Sequence, residues 1–90
     1  MAQPVGFEAL TVSSTAVGLT AATYGGSNFA HIYVDVADVR MVLTGTPTAS
    51  NGIPLAVGDE VYLDSADEIV RVRFIRDGGT DATLQVNYEG

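Results

Sequence analysis

Ile69-Val70-Arg71-Val72-Arg73-Phe74-Ile75-Arg76, then Asp77-Gly78-Gly79-Thr80-Asp81, then Ala82-Thr83-Leu84-Gln85-Val86-Asn87-Tyr88-Glu89, is the stretch on which the fold turns. In the first run Val70, Val72 and Phe74 stand two apart, with Arg71 and Arg73 between them, which is the side-chain period of a half-buried strand. A helix would space its apolar residues three or four apart. In the second run Leu84, Val86 and Tyr88 alternate with Thr83, Gln85 and Asn87. The two runs read as an antiparallel hairpin, its reversal supplied by the positive φ open to Gly78 and Gly79. Upstream, Gly58-Asp59 opens a third run with Val61 and Leu63 inward and Glu60, Tyr62 and Asp64 outward, so that three strands form a sheet.

The same rhythm extends toward the N-terminus. Phe7 to Ser13 is a first strand, with Leu10 and Val12 on one side and Glu8 and Thr11 on the other. Ala16 to Thr20 is a shorter one with Val17 and Leu19 inward, and residues Thr20 to Tyr24 form a connection. Gly25-Gly26-Ser27-Asn28 breaks the chain before Phe29 to Val36, whose inner face is Ile32, Val34 and Val36. Ala37-Asp38 links it, as a hairpin or a bulge, to Val39 to Leu43. Thr44 to Gly52 carries no apolar periodicity and reads as a surface loop. The extended path resumes in Ile53-Pro54-Leu55, which belongs at a sheet edge or strand start because proline cannot donate to a ladder. Met1 to Gly6 reads as an extended N-terminal arm and residues 7–90 as a single domain.

About eight short strands with turn signals between them, and no convincing helix, make an all-β antiparallel sandwich. A jelly roll is the leading topology and an immunoglobulin-like sandwich the alternative.

Composition narrows the function. Ninety residues suit one domain, and without cysteine neither a disulfide nor a thiolate metal site is open to it. Hydrophobic residues are 47% of the chain and charged ones 17%, an apolar balance that favours oligomerisation or attachment to something larger. The formal charge is −7, from eleven acidic residues against four arginines and no lysine. Such a surface repels phosphate backbones and anionic lipid, so neither nucleic acid nor membrane is an expected partner. No apolar run reaches the about 20 residues of a membrane-spanning helix, and Met1-Ala2-Gln3-Pro4 lacks the basic start of a signal peptide, so the chain reads as soluble and unprocessed.

No catalytic signature is present. His31 is the one histidine, it sits mid-strand opposite Ile32 and Val34, and no nucleophile motif accompanies it. Asp59-Glu60 and Asp64-Ser65-Ala66-Asp67-Glu68 form the densest acidic cluster. Their spacing is not that of a calcium loop, and a solvated turn guarding strand edges accounts for them. The glycines match neither a phosphate-binding loop nor a dinucleotide fingerprint. Arg40, Arg71, Arg73 and Arg76 suggest planar pairing with carboxylates, within the chain or across a subunit boundary, and Tyr24, Tyr33, Tyr62 and Tyr88 are candidates for contact area.

Thr44-Gly45-Thr46-Pro47-Thr48, Gly52-Ile53-Pro54-Leu55, Gly58-Asp59-Glu60-Val61-Tyr62-Leu63, Phe74-Ile75-Arg76 and Ala82-Thr83-Leu84-Gln85-Val86-Asn87-Tyr88 together resemble segments of small virion proteins of tailed bacteriophages, a likeness that covers residues 30 to 89. Among these, head decoration (cement) proteins are the nearest type. The resemblance implies a non-enzymatic β-sandwich without cofactor or metal that sits on the outer surface of the capsid as a trimer or dimer, bound to the major capsid protein, after assembly in the host cytoplasm. A tail or fibre component binding a partner or host surface is the alternative. The interface residues expected on this basis are Gln3, Pro4, Val5 and Phe7 of the arm and its sequel, His31, Tyr33, Arg40, Arg71 and Arg73 on outward strand positions, and Pro47 in the loop.

Overall fold

The computed structural model describes residues 4–20, 25–48 and 50–90. Among these residues, eight strands and one short helix follow in the order β1 (Pro4–Val12), β2 (Val17–Gly18), β3 (Phe29–Asp35), β4 (Val39–Val42), β5 (Ile53–Leu55), β6 (Glu60–Leu63), α1 (Ala66–Arg71), β7 (Arg73–Arg76) and β8 (Ala82–Glu89). They form two four-stranded antiparallel sheets, β1-β8-β3-β6 and β2-β7-β4-β5. Within them β1 pairs β8, β2 pairs β7, β3 pairs β6 and β4 pairs β5. That is the pairing of one long two-ply ribbon, and rolling it up adds the β3–β8 and β4–β7 ladders. The result is a jelly roll, not an immunoglobulin-like sandwich. Among the described strands, β4–β5 is the one consecutive pair that stays within a sheet; every other link passes from one layer to the other.

The inner faces obey the two-residue period. Ile32 and Val34 of β3, with Leu84, Val86 and Tyr88 of β8, meet Val39 and Met41 of β4 and Phe74 of β7 in one core. Removing each such side chain from water contributes about 1.5–3 kcal/mol. Glu8, expected opposite Leu10 and Val12, in fact shares their face, as residues two apart must. Its carboxylate accepts from the Tyr88 hydroxyl, from the Thr20 amide at 3.1 Å and from the Thr20 hydroxyl at 2.6 Å.

The decisive stretch departs from its strand reading. Residues Ala66–Arg71 are helical, and the hairpin expected between the last two runs does not exist, because β7 and β8 lie in different sheets. Ser65 caps the helix by accepting from the Glu68 amide at 3.2 Å, while the Glu68 carboxylate accepts from the Asp64 amide at 3.2 Å. The Ser65 cap holds the first turn, and the Glu68 carboxylate fixes the chain entering it. Ile69 is therefore 1% exposed and Val70 51%. The residues of the stretch that enter the core cluster are Ile69, Val72 and Phe74, spaced three and then two apart as helix gives way to strand, while Ile75 is buried outside that cluster. Since no tight reversal is needed after Arg76, the left-handed glycines are Gly26, Gly45, Gly52 and Gly58, rather than Gly78 and Gly79.

Ala37-Asp38 likewise makes neither hairpin nor bulge but a corner that carries β3 into the second sheet. The Ala37 amide donates to the Asp35 carbonyl at 2.9 Å around Val36, whose φ is 74°. A γ-turn of this hand is rare, and a β-branched residue at its centre is strained. Val36, expected inward, is 61% exposed. The expected arm shortens as well: Pro4 to Gly6 belong to β1, with a register irregularity between Pro4 and Gly6, because the edge of β8 offers them a ladder as far as Glu89. Met1 to Gln3 lie outside the described residues.

Candidate functional site

The outer face of the first sheet carries the densest group of exposed aromatic residues. The ladders align Phe7 of β1 with Asn87 of β8, Asn87 with His31 of β3, and His31 with Tyr62 of β6, so these four side chains form one row across all four strands. The next row is Ala9, Gln85, Tyr33 and Glu60. Phe7 and Tyr62 are 56% and 59% exposed, and Tyr33 stands clear beside them. The ring of His31 stacks on Tyr62 with 4.7 Å between centroids and 5° between planes, and Phe29 meets Tyr62 at 5.9 Å. His31 Nε2 lies 2.5 Å from the Glu60 carboxylate, to which the Tyr62 hydroxyl also donates, at 3.4 Å. Three ring systems are thereby held in fixed orientations on a rigid ladder. A shallow depression of about 420 Å³ beside them is lined by Val5, Phe7, His31, Asn87 and Glu89.

This face brings together Val5, Phe7, His31 and Tyr33 of the expected interface set. It does not bring in the others. Gln3 lies outside the described residues, and Pro4 begins β1. Pro47 is fully buried beneath its loop, which is drawn in by a tight Thr48–Asn51 turn, so it presents no contact surface. Arg40, on the second sheet, donates to Asp77 at 2.8 Å and to the Gly52 carbonyl at 3.2 Å. Arg71 and Arg73 do not share a strand face: Arg71 is on α1 and donates to Asp67 at 2.9 Å, and Arg73 is on β7 and donates to the Val70 and Val72 carbonyls. Arg76 pairs with Asp81 at 2.6 Å. All four arginines thus have partners within the chain. Tyr24 lies outside the described residues, and Tyr88 is core, not contact area.

Several of the acids expected at solvated turns serve the backbone. Asp59 accepts from the Ala56 amide, Asp38 from the Val57 amide and Asp35 from the Val36 amide. Among the described residues, no three histidine or acidic side chains converge as a metal site would require, and no helix is long and apolar enough to cross a membrane. Tyr62 and Phe29 were missed as site residues, although the alternation that places Glu60 and Tyr62 outward was already legible; what the sequence lacks is the β3–β6 register that stacks Tyr62 on His31. Compared with known protein families, curated proteins and solved structures, the chain matches none.

Proposed function

We propose that this chain is a non-enzymatic structural module that docks the outer face of its first sheet onto a larger assembly, in the manner of a phage head decoration protein bound to the major capsid protein. The observation that carries this reading is the row Phe7, Asn87, His31, Tyr62, in which exposed Phe7 and Tyr62 flank Asn87 and a His31 ring stacked on Tyr62, all on one face of a small sandwich. Tyrosine and phenylalanine are enriched at interface cores because they bury large area at low entropic cost. A jelly roll hosts many functions, so the face and not the fold supports the reading. His31 belongs to this surface through Glu60, 2.5 Å from its Nε2, and through its stack on Tyr62. Several such contacts on neighbouring subunits of a homo-oligomer would add as avidity on the outside of a shell.

One observation favours a second reading, a tail or fibre component that binds a host surface. A stacked imidazole and phenol beside the Asn87 amide also suits a saccharide, whose apolar ring faces stack on aromatic planes. Both readings are tested by locating the protein in purified particles and by adding it to capsid shells that lack it. Decoration predicts shell binding that falls at least tenfold in the Phe7→Ser, Tyr62→Ser double variant. Full occupancy by that variant would remove the aromatic face from the account, and binding to a glycan array but not to shells would favour the fibre reading.

A further inference from the structure

The geometry points to a carboxylate-binding site between α1 and the loop after β4, where Arg71 and Arg73 line one depression with Thr44, Gly45, Thr46 and Val70. It is separate from the aromatic face and does not depend on the capsid reading. The depression has a volume of about 350 Å³, enough for an acidic side chain.

The chemistry of its lining is that of an anion receptor. Arg71 uses its Nε on Asp67, and Arg73 uses one terminal nitrogen on the Val70 and Val72 carbonyls. Those bonds fix the two guanidinium groups while leaving the remaining donors of each without a partner among the described residues. A guanidinium so anchored is preorganised for bidentate pairing. The hydroxyls of Thr44 and Thr46 have no hydrogen bond among the described residues either, and each can donate one. Val70, 51% exposed, supplies an apolar wall for the methylene stem of the guest. Gly18 lets this arrangement form: a Cβ there would stand 2.6 Å from the terminal nitrogen of Arg73.

Charge selects the guest. Asp67 already faces Arg71, and the chain carries a net −7, so a second singly charged carboxylate is accommodated where a phosphate of nearly two charges is opposed. The occupant is an aspartate or glutamate side chain presented by a partner protein.

The test is a titration of the intact protein with acetyl-Gly-Glu-Gly-amide, followed by the backbone amides of residues 44–46 and 70–73 and by the arginine Nε–H signals. Saturable shifts confined to those groups are expected, with the Gln analogue of the peptide inactive. Arg71→Gln and Thr46→Val should each weaken binding at least fivefold. Unchanged far-ultraviolet and thermal profiles confirm that the variants are folded. Absent or dispersed shifts, equal binding by the Gln peptide, no response to the two substitutions, or tighter binding of inorganic phosphate would each overturn the assignment.

Discussion

The hydroxyl of Tyr88, on a side chain 1% exposed, donates to the carboxylate of Glu8, tying the last strand to the first from within. A hydrogen bond to a charged acceptor contributes about 1.5–3 kcal/mol. Tyr88→Phe should therefore lower stability by about 2 kcal/mol, read from the urea midpoint. Glu8→Gln, which keeps an acceptor, should cost less than Glu8→Leu, which leaves the Thr20 amide and hydroxyl without their partner. Equal stability of all three variants would show that the Glu8 carboxylate does not hold this end of the sandwich.

The helical reading of Ala66–Arg71 separates two adjacent residues. Ile69→Ala should cost about 2–4 kcal/mol, as for other buried aliphatic truncations, and Val70→Ala, at an exposed site, under about 0.5 kcal/mol. A strand would reverse that order. Ser65→Ala should cost about 1 kcal/mol through loss of the cap.

Val36 offers a gain. Glycine adopts a φ of 74° without the Cβ clash that valine meets there. Since Val36 is exposed, little packing is lost, and Val36→Gly should raise stability by about 0.5–1 kcal/mol despite the added freedom of the unfolded chain. A lower melting temperature would mean that the corner carries no strain.

Gly52 should behave in the opposite way. Its φ is 130°, and a Cβ would stand 3.2 Å from that of Arg40, whose guanidinium reaches the Gly52 carbonyl. Gly52→Ala should cost about 1–3 kcal/mol, measurable by thermal unfolding, and should loosen the Arg40–Asp77 pair.

Alternation along β3, β4, β6 and β8 was legible because burial on one side of a sheet leaves a period-two imprint. The helix was hidden by an accident of spacing: Val70, Val72 and Phe74 alternate, yet the first of them faces water. The signal that would have found it is local, Ser65 followed three residues later by Glu68. Sheet membership was not legible at Asp77 to Asp81, where a hairpin and a crossing between layers demand similar turn residues. Of the surface, Phe7, His31 and Tyr33 could be placed outward from parity alone. Their gathering into one face with Tyr62 depends on the β1–β8–β3–β6 order, and the partners of the arginines depend on contacts such as Arg40 with Asp77, far apart in the chain.

The pairing of β8 with both β1 and β3 governs how the chain can mature. While the polypeptide emerges from the ribosome, β1 has no ladder to join among the described strands until β8, Ala82–Glu89, is synthesised. Acquisition of structure is thus governed by distant encounters, in the millisecond-to-second range typical of such topologies. A nascent chain halted before Ala82 would expose two unpaired edges at once, and would be a substrate for chaperones or for aggregation.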